Sequence, residues 1–258
     1  MKDNNSINKA RALYYNLFAN FFVLSSKSEN YFELVRLINI LKKSPLDIES
    51  GKALEAISNE LDPSSNVVLV QEFDDLFHSP LNKKIRLTAS YYDEGVESGK
   101  KRVEMIQFVA KTKLRRDEKK YFEYEDSVGF IFSFMAQLCD NIANGNHEYE
   151  NTVHCIFAEI LNDFVDDFAK EVYENKNAKI FSQLMIVLHS FAEFERLYLE
   201  VSKPKAKVKV QKAKAVDSIS DEELERRAKN KLLRESGPKK EEIYEGPVDT
   251  ATAMETDV

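Results

Sequence analysis

Apolar residues recur at three- and four-residue intervals along most of the chain, the spacing that gathers them on one face of an α-helix. The first such set is Ala10, Leu13, Tyr14, Leu17, Phe18 and Phe21. The longest is Val153, Ile156, Phe157, Ile160, Leu161, Phe164, Val165, Phe168 and Val172, with Asp163, Asp166, Asp167 and Lys170 on the opposite face, and it predicts a helix over about 147–173. The same period predicts helices over about 8–25, 29–43, 50–61, 67–78, 99–116, 127–143 and 178–201. Pro45, Pro63, Pro80 and the triplet Asn144-Gly145-Asn146 fall between them, where helix-breaking residues belong. No run alternates over the length of a strand, and seven glycines are too few for the turns of a βαβ protein. The expected fold is all-α: one domain, a helical bundle of about eight helices packed on one another.

The pattern stops near residue 202. Of 17 phenylalanines and 11 tyrosines, only Tyr244 lies beyond that point, and the last 56 residues hold 13 Lys and Arg against 12 Asp and Glu. Such a segment cannot bury enough apolar surface to fold alone. Residues 1–202 are therefore expected to form the domain, and 203–258 a lysine-rich linker and disordered charged tail with room for a short helix at 220–235. The body keeps 32 acidic residues against 24 basic ones. That balance disfavours nucleic acid, whose binding is dominated by phosphate neutralisation, and suits a basic peptide.

Catalytic and metal chemistry find little support. Cys139 and Cys155 sit in helical apolar patterns, neither with a basic neighbour on its own helix face to activate it, and no G-x-S-x-G elbow is present. His78, His147, His154 and His189 do not fall at zinc-ligand spacing. Gly95, Gly99 and Lys100 miss a phosphate loop by one spacer residue and lack the following hydroxyl. No enzyme, metal or cofactor is expected. No run reaches the ~18 apolar residues of a membrane span, and the N-terminus is unlike a signal peptide, so a soluble cytoplasmic protein without stable membrane insertion is expected.

Two acidic, aromatic stretches remain, EFDDLFHSPLNKKIRLTASYYDEG (72–95) and YFEYEDSVGFIFSF (121–134). In the first, SYYDEG reads as a turn. In the second, Asp126 suits either a cap for the helix that follows or a carboxylate that recognises a cation.

In these stretches the sequence resembles the TorD-like family of chaperones that mature molybdenum-containing redox enzymes. Phe73, Leu76 and Phe77 match the family's F-x-x-L-F phrase, and Ser90, Tyr92 and Gly95, with Asp93 and Glu94, match its S-x-Y-x-D/E-G phrase. Glu123 and Asp126 hold the acidic positions of its E-x-P-D-H motif, in which Glu125 replaces the proline and Ser127 the histidine. The resemblance implies a non-enzymatic cytoplasmic chaperone. It would bind the twin-arginine signal peptide and the apo form of a molybdenum-containing oxidoreductase, a formate dehydrogenase being one candidate, and hold it for cofactor insertion before export. A peptide with two arginines followed by an apolar stretch calls for carboxylates beside an apolar groove. Tyr92, Asp93, Glu123, Glu125 and Asp126 are the expected client-peptide-binding residues. The alternative is a regulatory or scaffold protein whose basic tail binds RNA or an anionic membrane surface.

Overall fold

A computed structural model describes residues 2–23, 28–79, 84–117 and 121–204 of the 258. The chain divides into two units, Met1–Lys205 and Ala206–Val258; the second, with the expected tail and its short helix, lies outside the described residues. Among the described residues the fold is all-helical. The α-helices run α1 (Lys2–Phe22), α2 (Ser28–Leu41), α3 (Ile48–Glu60), α4 (Val67–Phe73), α5 (Ala89–Glu94), α6 (Lys100–Ala110), α7 (Val128–Ala143), α8 (Glu150–Ile156), α9 (Asn162–Tyr173) and α10 (Ile180–Tyr198).

The long predicted helices hold. The one expected over 67–78 is α4 continued by a single π turn, Asp74–His78, and the one over 147–173 is a short 3-10 turn, α8, a π turn (Phe157–Leu161) and α9 in unbroken sequence. Two expectations need correction. The 99–116 helix stops at Ala110, where the Arg115 guanidinium turns back to donate to the Val109 carbonyl (3.1 Å) in the last turn, as well as to the Leu114 carbonyl (2.6 Å) beyond the helix. SYYDEG is not a simple turn but α5, closed by Gly95 at φ 75°, a left-handed conformation that glycine adopts without strain.

The core is built on α1, α7 and α10. α7 has buried residues on every side, the mark of a central helix. α1 lies along it so closely that a Cβ on Gly129 would stand 2.8 Å from a Val23 methyl and 3.0 Å from the Phe22 carbonyl oxygen. Phe18 packs on Phe132 at 5.2 Å, Tyr15 meets Phe191 of α10 edge-on at 4.8 Å, and Phe22 reaches Phe168 of α9 at 5.4 Å. Ring pairs in such offset and edge-to-face arrangements add to the area they bury.

Two carboxylates are folded into this core. Glu195 of α10 is fully buried and receives Arg11 of α1 on both oxygens (2.6 and 2.7 Å) as well as the Tyr15 hydroxyl (2.7 Å). Burial works against the Arg11 charge, but Glu195 outweighs it and the guanidinium is held charged. Glu72 of α4 caps another element: its carboxylate accepts the backbone N–H groups of Lys179 (2.8 Å), Ile180 (3.1 Å) and Phe181 (2.8 Å) at the start of α10, which has no side-chain cap of its own.

Candidate functional site

The stretches singled out in the sequence meet at one side of the bundle. The π turn at 74–78 ends α4 and presents Phe77 and His78, and the Ile85 N–H donates to the Leu76 carbonyl, bringing the chain back over that turn. Residues 87–89 then pair with 126–128 through an isolated bridge, Val128 N–H to the Leu87 carbonyl (2.8 Å) and Ala89 N–H to the Asp126 carbonyl (2.9 Å).

Capping extends this pairing through two helices. The Asp126 carboxylate, fully buried, accepts the Ser90 N–H (3.1 Å) at the start of α5. Ser90, equally buried, uses its hydroxyl to accept the Arg102 N–H (3.3 Å) in the first turn of α6, and Glu94 accepts the Lys100 N–H (2.9 Å). The helix that follows Asp126 is capped by Ser127, whose hydroxyl accepts the Phe130 N–H (3.3 Å) and lies 2.6 Å from the Tyr121 hydroxyl. Asp126 is therefore a cap, but for α5, 36 residues earlier, and not for α7.

The expected client-binding residues separate into two groups. Tyr92 faces inward: its ring stacks on Phe164 at 5.6 Å, its hydroxyl donates to Glu171 (3.1 Å), and burial followed by the Glu171 charge raises its pKa. Asp126 is sealed in as described. Glu125 is largely covered, with the guanidinium nitrogens of Arg116 and Arg102 at 2.9 and 3.3 Å. Glu123 and Asp93 are exposed. Glu123 accepts the Tyr121 hydroxyl (3.3 Å), and Asp93 adds its charge to the field at Lys101, which is clamped to Asp163 (2.8 Å) and to the Glu159 carbonyl of the second π turn. The structure thus brings Glu123, Glu125 and Asp126 together as one segment, while Tyr92 and Asp93 serve opposite sides of α5.

Beside this segment runs a groove of about 220 Å³. Phe77, Ile85, Leu87 and Phe122 give it apolar walls, and Glu97 and Glu123 face it with carboxylates. Phe122 is 83% exposed and Tyr124 42%, large rings left in water at the rim. Sequence reading missed Phe122, Arg102 and Arg116, and it picked out Ser90 without its partners Asp126 and Arg102. Phe122 was visible as an aromatic inside YFEYED, whereas Arg102 and Arg116 matter through contacts made across a loop, which no helical period reveals.

Burial raises Asp126 above the usual aspartate range, with hydrogen bonds to Ser90 pulling it back. The folded protein therefore holds this proton more tightly than the unfolded chain, so the contribution of Asp126 to stability falls as pH rises through that window. Asp126→Asn removes the titration and keeps an acceptor for Ser90. In urea unfolding, the advantage of Asp126→Asn over the native protein will be largest near neutrality and shrink toward about pH 4, whereas Asp126→Ala, which also loses the acceptor for Ser90, will cost about 1–2 kcal/mol near pH 4 and less toward neutrality. A native-to-asparagine difference that does not change with pH would remove this account.

Nucleophilic chemistry gains no support: Cys139 is buried with its thiol pushed up to about 12, and both cysteines are free. Asp166, His189 and Glu193 bring ligand atoms within 4.8 Å of one another. Both carboxylates are already engaged by Arg196 and Lys203, so the group reads as an ion-pair network between α9 and α10. No described helix is long and apolar enough to cross a membrane.

Compared with known proteins, the family model described as nitrate reductase delta subunit matches residues 43–170, which span α3 to α9 and contain the whole groove. No curated protein and no solved structure matches the chain.

Proposed function

We propose that this chain, which belongs to the TorD-like family of redox-enzyme maturation chaperones, binds the twin-arginine signal peptide of a molybdenum-cofactor oxidoreductase in the groove between the first π turn and residues 122–124. The family is one of chaperones rather than catalysts, acting with the subunits of molybdenum enzymes. The observation that carries the finer reading is a groove walled by Phe77 of the first family phrase and rimmed by Phe122, Tyr124 and Glu123, the last an acidic position of the third phrase. Phe122 and the groove walls suit the apolar stretch of such a peptide, and Glu123 suits an arginine. Asp126, Ser90 and Tyr92 act as positioning residues: they fix α5 and the 121–127 segment so that the exposed rings and carboxylate stand where the peptide lies. The setting is the cytoplasm, before export.

The chain contains no tryptophan, so one placed in a client peptide reports binding directly. The peptide will bind the chaperone, lose affinity about tenfold or more when both arginines become glutamine, and lose several-fold against Phe122→Ser. Equal binding of the arginine and glutamine peptides would sink the twin-arginine reading and leave the family assignment standing.

A further inference from the structure

The Glu125 carboxylate stands where the family pattern has proline, and it is enclosed by guanidinium chemistry from its own chain. Arg116 approaches it through Nε at 2.9 Å and Arg102 through Nε at 3.3 Å. The Arg116 terminal nitrogen also donates to the main-chain carbonyl of Glu123 (2.7 Å), and the Arg102 guanidinium lies 3.8 Å over the Tyr124 ring. A carboxylate, a main-chain carbonyl and an aromatic face are the three elements that recognise arginine. All three occur within residues 123–125, adjoining the groove that Glu123, Tyr124 and Phe122 line.

Resting on the signal-peptide reading, we propose that Glu125 is the second arginine-binding carboxylate of the site and that Arg116 is its internal occupant, displaced when a client arginine enters. The molecule supplies its own standard for comparison. Arg11 grips Glu195 with two nitrogens at 2.6 and 2.7 Å, and Arg196 grips Asp166 with two at 2.9 and 3.2 Å. Glu125 instead receives a long hydrogen bond from Arg102 Nε at 3.3 Å, and Arg116 Nε stands 2.9 Å away without hydrogen-bond alignment, a contact that an incoming guanidinium donating through two nitrogens improves on. Arg116 also belongs to an adjacent pair, Arg115-Arg116, followed five residues later by Tyr121-Phe122, so the connector after α6 carries the same basic-then-aromatic order as the ligand. Arg115 is turned away onto the end of α6, so of this pair it is Arg116 that reaches the carboxylate, beside Arg102. Exchange of one arginine for another conserves charge. The affinity for a client is then the difference between two similar contacts, and only a peptide that adds apolar contacts in the groove prevails.

The test uses the full chain and two synthetic tryptophan-bearing peptides, one with two adjacent arginines before an apolar run and one with two lysines in their place. Arg116→Gln, which keeps a donor for the Glu123 carbonyl, will bind the arginine peptide several-fold more tightly than the native protein while gaining little for the lysine peptide. Glu125→Gln will bind the arginine peptide more weakly, and the double variant will match Glu125→Gln. Arg116→Lys, with charge but no planar fork, will fall between native and Arg116→Gln, which guards against a folding defect in one variant; far-UV helicity checks both. If the native protein prefers the arginine peptide but Arg116→Gln leaves affinity unchanged or lowers it, the internal-occupant proposal is overturned and the signal-peptide reading survives. If native protein and both Arg116 variants fail to prefer arginine over lysine, the signal-peptide reading fails and the proposal falls with it.

Discussion

Glu195→Ala will destabilise the helical body by about 3–5 kcal/mol, the usual consequence of removing one partner of a buried ion pair. Arg11 would keep its charge in a site that is 2% exposed, and the Tyr15 hydroxyl would lose its acceptor inside a wholly buried ring cluster. For a body of this size the loss corresponds to a fall in melting temperature of roughly 6–20 °C. The pair itself is not the source of that stability, because desolvation offsets most of the Coulomb attraction between two buried ions. Arg11→Met combined with Glu195→Leu should therefore lose far less than Glu195→Ala alone, and thermal unfolding of the three proteins decides it. A double variant as unstable as the single one would show that the ion pair has a role apolar packing cannot replace.

Glu72→Ala should be the second most damaging single change, costing about 2–3 kcal/mol. Three backbone N–H groups at the start of α10 share this carboxylate, and Ile180 and Phe181 are buried, so water cannot take over their partners without cost. The negative charge also faces the positive end of a 19-residue helix. Glu72→Gln retains one carbonyl oxygen and should recover roughly half the loss. Hydrogen exchange gives the more telling readout, since protection should fail first in the opening turn of α10. Uniform loss of protection over all helices, with none specific to that turn, would mean that Glu72 acts only through packing.

How much of this was legible beforehand depended on the distance over which each residue acts. The helices over 67–78 and 147–173 were readable because their apolar period is local and survives a π turn, which shifts register by one residue without ending the helix. The end of α6 was not, because its stop is a side-chain cap from Arg115 and not a proline or glycine. α5 escaped because its six residues, Ala-Ser-Tyr-Tyr-Asp-Glu, are too short to carry a helical stripe; it is held by Asp126 from 36 residues away. The site was half visible. The acidic and aromatic residues of 121–127 announced themselves by composition, but composition could not separate the exposed Glu123 from the sealed Asp126, nor show that Glu125 already holds arginine.

The contact between Arg11 and Glu195 joins positions 184 residues apart. At a synthesis rate of about 5–20 residues per second, roughly 10 to 40 s separate the appearance of α1 from that of the helix that completes its cover. Tyr14, Tyr15, Phe18, Phe21 and Phe22 have no finished home during that time. α1, made before the other described helices, is among the last of them to be enclosed, and such long-range closure slows folding while it lengthens exposure of sticky surface. A protein whose family attends to unfinished enzymes thus begins as unfinished itself, with its most aromatic helix waiting for the residues that cover it.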